Sequence, residues 1–150
     1  VSGATRRTVL KTRVIAGNQQ VARLDEEQAR PADAQEAAAL VDAVRDRVAG
    51  CGALVLSDYA KGTLTPAVVA GAVAAAREAG VPVFADPKSD DFALYRGADC
   101  LTPNARELAR AARMPAGTEA EVVAAARAAM RAAGVPALLC TRAERGMVLV

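Results

Sequence analysis

Two stretches of this chain repeat one instruction. Residues 77–86 (REAGVPVFAD) and 131–140 (RAAGVPALLC) each close a helical pattern at a glycine, pass through Val-Pro, and enter a short apolar segment. A helix stop followed at once by a buried strand is the return arm of a βαβ unit. Its repetition restricts the chain to folds in which parallel strands are joined by helices. The intervening pattern agrees. An apolar run at Ala53–Leu56 precedes a helix that begins at Thr65-Pro66, a side-chain cap with proline at the first helical position, and closes at Gly80. Strands follow over 81–86, 98–102 and 135–141, with helices over 104–112 and 119–133, the latter capped by Thr118 and Glu121. Upstream, Ala37, Leu40, Val41, Val44 and Val48 recur at helical period behind an Asp33/Glu36 capping box, and Gly50 and Gly52 end that helix. Short strands without polar alternation belong to sheets covered on both faces. The predicted architecture is therefore a three-layer α/β/α sandwich on a mostly parallel sheet.

The first part of the chain differs. Residues 9–16 (VLKTRVIA) alternate, so Lys11 and Arg13 share one side of a strand. Gly17-Asn18 offers a tight turn, and QQVARL returns, predicting a β-hairpin over 9–24 followed by a polar linker over 25–32.

Composition removes several function classes. A net charge of +2, from 19 basic and 17 acidic residues, with two Phe, two Tyr and no Trp, supplies neither a phosphate-tracking stripe nor stacking platforms. Nucleic acid is not an expected partner. Without histidine there is no Ser-His-Asp triad and no His-ligated metal, so acid–base work falls to Asp, Glu, Lys, Tyr or Cys. Cys51, Cys100 and Cys140 lie far apart beside small or apolar neighbours, and read as buried thiols of a reducing compartment. No apolar run reaches the roughly 18 residues of a membrane span. A cytoplasmic location without membrane attachment is expected. Both ends look cut, so the chain reads as a fragment.

In open α/β sheets, ligands gather at the carboxyl ends of the strands. Those ends are polar: Ser57 to Gly62, Asp86 to Lys88, Thr102 to Glu107, and Thr141 to Gly146. Asn104 and Glu107 form a capping box at a helix start. The same position suits Glu107 to orient hydrated Mg²⁺ while the helix end faces nucleotide phosphates, and the two roles are compatible. Asp58 with Lys61, and Asp86 with Lys88, each combine a hydroxyl acceptor with a cation, which suits a substrate carrying both hydroxyls and a phosphate; the plainer reading of each is a loop turn or a weak salt bridge. Lys11 and Arg13 are either a solvated face or a flap laying cations over an anionic substrate. Arg142 to Gly146 is either a hairpin loop or a backbone seat for a nucleotide. GxxxxGK[ST] and GxGxxG are absent, which removes the P-loop and the dinucleotide fingerprint.

The ordered series KTRVIAGNQQVARLD, LSDYAKG, AGVPVFADPK, YRGAD, LTPNARE and CTRAERGM resembles the kinase domain of D-glycero-β-D-manno-heptose 7-phosphate kinases, in the ribokinase-like (PfkB) sugar kinase superfamily. Asn-x-x-Glu and the Thr-x-x-x-x-Gly turn are shared across the superfamily. NQQVARLD, SDYAKG and DPK before YRGA point to the heptose branch. The resemblance implies ATP-dependent, Mg²⁺-assisted phosphorylation of the anomeric hydroxyl of the heptose 7-phosphate, giving the 1,7-bisphosphate used for ADP-heptose and lipopolysaccharide core synthesis. It places Asn104, Ala105, Arg106 and Glu107 at the nucleotide and Mg²⁺ site. Thr141, Arg142 and Gly146 fall in the nucleotide loop, where this chain has Ala143 in place of a frequent glycine. Asp58 and Lys61 fall at the strand end facing the sugar. Lys11 and Arg13 fall on a β-lid that often forms a homodimer contact.

The resemblance also divides the chain into a lid return over 1–24 and an α/β core over 33–150. The glycine-rich N-terminal sugar-binding part and the Gly-Ala-Gly-Asp motif that carries the catalytic Asp are absent from the sequence, so that Asp is expected beyond Val150 and the 150 residues alone are expected to be inactive. Two alternatives stand beside this reading. One is a ribokinase-like kinase for a fructose- or ribose-type sugar, and the other is a non-catalytic α/β ligand-binding module whose rim residues are only caps.

Overall fold

A computed structural model describes residues 8–150; the first seven positions of the lid expected over 1–24 lie outside the described residues. The hairpin is formed by β1 (Leu10–Ala16) and β2 (Gln19–Glu26), antiparallel, with Lys11 opposite Asp25 and Arg13 opposite Arg23. Of the two turn residues only Gly17 takes a positive φ, +60°. A register shift between Val14 and Ile15 places a bulge near the turn. β2 runs two residues further than the sequence pattern predicted, consuming the start of the linker.

The core follows in the predicted order: α1 (Ala34–Val48), β3 (Leu54–Ser57), α2 (Pro66–Glu78), β4 (Val83–Asp86), β5 (Cys100–Leu101), α3 (Ala105–Ala112), α4 (Glu119–Ala133), β6 (Ala137–Thr141) and β7 (Met147–Leu149). Strands β4 and β6 begin two residues later than expected. Pro82 and Pro136 have no N–H to give a ladder, and the Val81 N–H is already spent on the Ala76 carbonyl at the end of α2. The three predicted capping boxes, Asp33/Glu36, Asn104/Glu107 and Thr118/Glu121, all form, and Thr65 caps α2 ahead of Pro66. Each such cap contributes about 1 kcal/mol.

The sheet order is β3-β4-β5-β6-β7, parallel through β6, with β7 returning antiparallel. Strands that neighbour one another in chain order and cross over with the usual right hand place their connections on one face. Burial agrees. Leu56, Val83, Ala85, Leu101, Leu138 and Cys140 are buried on that face, in one cluster with Val69, Ala76, Val122, Ala126 and Leu108 of the helices. Fully buried leucines of this kind contribute roughly 1.5–3 kcal/mol each. On the opposite face Val55, Phe84, Met147 and Leu149 are exposed. The described residues thus supply the sheet and one helical layer of the sandwich.

Two of the three thiols behave as expected, Cys100 and Cys140 being buried, but Cys51 is exposed. It sits on the loop between α1 and β3, beyond the reach of the core, with its Sγ beside the Arg47 carbonyl. Among the described residues no helix is long and apolar enough to cross a membrane.

Candidate functional site

The four parallel strands deliver their carboxyl ends to one edge. Ser57 pairs with Asp86 in register, and the Asp58 N–H donates to the Asp86 carbonyl at 3.0 Å. Thr102 N–H reaches the Ala85 carbonyl, Thr141 N–H reaches the Pro103 carbonyl at 2.9 Å, and Asn104 bridges to Thr141. Asp58, Asp86, Asn104 and Thr141 therefore stand side by side, as the strand reading requires.

At one end of the rim, a cleft of about 570 Å³ lies between the start of α3 and the loop after β6, lined by Asn104, Ala105, Arg106, Thr141, Arg142 and Ala143, and also by Ala116 and Gly117. Asn104 Oδ1 accepts from the Arg106 and Glu107 N–H groups, at 3.0 Å each, and the Glu107 Oε2 accepts from the Asn104 N–H. The positive end of α3 thus opens on the cleft. The loop after β6 is a short 3₁₀ turn, Ala143–Arg145, closed by the Arg142 N–H on the Gly146 carbonyl. Ala143 takes φ +52°, the left-handed conformation for which glycine is better suited. Arg145 donates to the Gly117 carbonyl at 3.0 Å and Arg142 to the same oxygen at 3.5 Å. These two arginines hold the far wall of the cleft, and Ala116 and Gly117 were not legible as site residues because nothing in PAG signals a ligand.

In the middle stand Asp86, Lys88 and Glu107. Lys88 does not pair with Asp86; its Nζ donates to Glu107 Oε1 at 2.8 Å. Glu107 is buried, which favours its protonated form, but the Lys88 ammonium and the Asn104 N–H outweigh burial and hold the carboxyl below its usual range. Lys88 is correspondingly raised by its hydrogen bond to Glu107. Asp86 moves the other way: partial burial raises it, and the negative charges of Glu107 and Asp58 add to this against Lys88.

At the other end Asp58 and Lys61 face the hairpin. A hollow of about 480 Å³ is lined by Val9, Lys11, Glu27, Asp58, Tyr59 and Lys61 with three further residues. Lys61 turns away from Asp58 to an ion pair with Glu27, and Lys11 pairs with Asp25 at 3.1 Å and Glu27 at 3.9 Å. Asp58 Oδ1 accepts from the Ala60 N–H, and Oδ2 from the Tyr95 hydroxyl. Arg13 is on the same strand but does not line this hollow; Arg23 stands opposite it. Glu27 and Tyr95 are the residues here that sequence reasoning passed over. Tyr95 lies in the YRGAD segment, but its role depends on a contact 37 positions away.

A parallel α/β sheet whose strand ends hold a helix N-terminus at one hollow and carboxylates with ammonium groups at another belongs to the class of open-sheet α/β proteins that take small molecules at the strand ends. Known proteins give the same class a name. The model of the pfkB family carbohydrate kinases matches residues 3–150, and the chain belongs to that family. The bifunctional protein HldE of Gluconacetobacter diazotrophicus is 53% identical over 150 residues, all of this chain and 31% of that protein. The chain spans about 31% of the length of such curated relatives. Among solved structures, Arabidopsis thaliana ribokinase complexed with ribose and ATP aligns with a TM-score of 0.61 at 22% identity, over 89% of this chain and 41% of that one. The tetrameric inhibited form of Escherichia coli phosphofructokinase-2 aligns with a TM-score of 0.68 at 17% identity, over 97% of this chain and 48% of that one. At these identities the structures attest the ribokinase-like fold.

Proposed function

We propose that the enzyme containing this chain transfers the γ-phosphoryl group of ATP to the anomeric hydroxyl of D-glycero-β-D-manno-heptose 7-phosphate, giving the 1,7-bisphosphate. The observation that carries the reading is the division of the rim. Two hollows stand along one strand-end rim, one at Asp58 after β3 and one at Asn104 and Thr141, with the end of β4, carrying Asp86 and Lys88, between them in strand order, so that two substrates can be brought together at one edge. Nucleotide is assigned to the hollow lined by Asn104, Ala105, Arg106, Thr141 and Arg142, where the α3 N-terminus meets phosphate; Gly146 does not line it but closes its loop by accepting the Arg142 N–H. Sugar is assigned to the side of Asp58 and Lys61, with Asp86 and Lys88 towards the transferring group and Lys11 and Arg13 on the lid above. The heptose assignment is supported by NQQVARLD, SDYAKG and DPK before YRGA, and by the identity to bifunctional protein HldE.

Mg²⁺ fits the donor set, since a hard cation that keeps several waters needs only one or two carboxylates. Glu107, held ionised by Lys88 on Oε1 and by the Asn104 N–H on Oε2 at the start of α3, would hold it through water, where it would neutralise phosphate charge. Lys88, now on Glu107, supplies a second positive charge to the same place. Asp58 and Asp86 orient hydroxyls as acceptors. None of the described residues is assigned the general base; the resemblance places it in a Gly-Ala-Gly-Asp motif that this sequence does not contain. We also assign a homodimer contact to the hairpin, whose Leu10, Val14 and Leu24 are exposed on one face, and a cytoplasmic location, where heptose phosphate and ATP meet.

The test is a substrate panel with the full-length enzyme, ATP and Mg²⁺: heptose 7-phosphate, fructose 6-phosphate, fructose and ribose. The expected result is a kcat/KM for heptose 7-phosphate at least a hundredfold above the others. Preference for an unphosphorylated sugar would replace the heptose reading with a fructose- or ribose-type kinase.

A further inference from the structure

Tyr95 is fully buried, yet its hydroxyl reaches the rim. It donates to Asp58 Oδ2 at 2.5 Å and accepts from the Lys88 N–H at 3.3 Å and the Ser89 N–H at 3.4 Å. A phenolic hydroxyl donates one proton and also accepts. With its accepting side facing the Lys88 and Ser89 N–H groups, its proton goes to the Asp58 carboxylate. Burial and the Asp58 hydrogen bond raise the phenol far above its ordinary value, so the donor keeps its proton across the physiological range.

The Asp58 carboxylate is thereby fixed from two sides, by the Ala60 N–H on Oδ1 and by Tyr95 on Oδ2. An ionised carboxylate has about four acceptor sites, and two are left for hydroxyls in the hollow. The same phenol holds the backbone of Lys88, whose ammonium lies on Glu107. We propose that Tyr95 is a positioning residue for the sugar, fixing the Asp58 carboxylate against the Lys88–Ser89 turn so that its free lone pairs meet the substrate hydroxyls. This rests on the sugar-side role of Asp58 proposed above.

The test uses the full-length enzyme and whichever sugar the wild type prefers, so an error in sugar identity leaves it intact. Tyr95→Phe keeps the ring in its site and removes one oxygen. The expected result is a KM for sugar raised about tenfold, a KM for ATP within twofold of wild type and kcat little changed, since a lost charge-assisted hydrogen bond that orients a binding group acts on substrate affinity. Asp58→Asn should raise the sugar KM as well, and the double variant should be no worse than the poorer single one, because Tyr95 acts through Asp58. Additive effects in the double variant, or an ATP KM that rises equally, would reduce Tyr95 to a packing residue and overturn the proposal. Should Tyr95→Phe fail to fold, or the wild type turn over no sugar, Asp58→Ala decides by hydrogen exchange. Loss of the acceptor should quicken exchange at the Lys88 and Ser89 amides severalfold, and unchanged exchange there would overturn the proposal.

Discussion

A methyl group added to Gly62 would sit 2.0 Å from the carbonyl oxygen of Arg30, and the residue's φ is +83°. The Gly62 carbonyl also accepts the Ala32 N–H at 2.7 Å, so the rim loop after β3 and the segment after β2 are clasped at this point. Gly62→Ala should therefore destabilise the fold by about 2 kcal/mol or more, from left-handed strain plus backbone displacement, read as a lower urea midpoint. Asp86 makes the opposite prediction. Burial raises its folded pKa, and the charge of Glu107 adds to that, so the ionised form costs the fold stability. That contribution is favourable below the unfolded pKa, about 3.9, and is lost as pH rises through the folded value. At neutral pH the cost is complete. Asp86→Asn should raise the melting temperature at pH 7 and lose that advantage below about pH 4, while sugar phosphorylation falls. A variant no more stable than wild type at pH 7 would count against the strain at this carboxylate. At this scale the sequence was half legible. The identities of the rim residues follow from strand ends, but their partners do not. Lys61 and Lys88 each stand three or two positions after an Asp, and each turns to a Glu delivered by another element. Side-chain length and the position of Glu27 and Glu107 in space decide this, and local spacing carries neither.

The helices were legible because their signals are local. A cap, a period of 3.6 and a stop lie within one stretch of chain, and Asp33, Thr65, Asn104 and Thr118 all begin helices as their residue types demand. Strand ends were less so, since the ladder partner of Val83 or Ala137 is elsewhere in the sequence. The hairpin shows what alternation does and does not determine. It gives the two faces, Lys11, Arg13, Arg23 and Asp25 on one and Leu10, Val14, Ala22 and Leu24 on the other. The charged face carries Lys11 into the Asp58 hollow, which accords with a lid. The other leaves large aliphatic side chains in solvent, with Leu24 at 59% exposure, and two strands alone are at best marginally stable. Pairing of this face with its copy in a second subunit relieves both problems. Leu24→Asp should convert the homodimer proposed for the full-length protein to a monomer, seen by size exclusion with light scattering, because each such dimer would bury two unpaired carboxylates. An unchanged dimer would place the contact elsewhere.

Across the whole molecule, the sheet has unequal faces. The steps from β3 to β6 all advance the same way, which with the usual right-handed crossover puts the intervening helices on one side, and residues of alternate register, Val55 at 62% and Leu149 at 70% exposure among them, stand bare on the other. The short apolar strands did signal burial on both faces, whereas among the described residues Phe84 keeps 37% exposure on the second face, where an aromatic side chain is costly to leave in water. Two consequences follow for this chain expressed alone. It should bind 8-anilinonaphthalene-1-sulfonate strongly and self-associate with rising concentration, since contiguous apolar patches of this kind are adhesive. It should also give no heptose 1,7-bisphosphate. Phosphoryl transfer depends on positioning and charge stabilisation around a placed nucleophile, and among the described residues the rim holds acceptors, ammonium groups and a helix end but no Gly-Ala-Gly-Asp aspartate. Nucleotide binding is separable from turnover, because the Asn104–Thr141 cleft is formed by β5, α3 and β6, which pack within this chain. The expected outcome is a soluble fraction that retains weak affinity for ATP, measurable by fluorescence of a labelled nucleotide, with no catalysis. Turnover by the isolated chain would locate the base among Asp58, Asp86 and Glu107 and overturn the assignment of that role to an aspartate outside it.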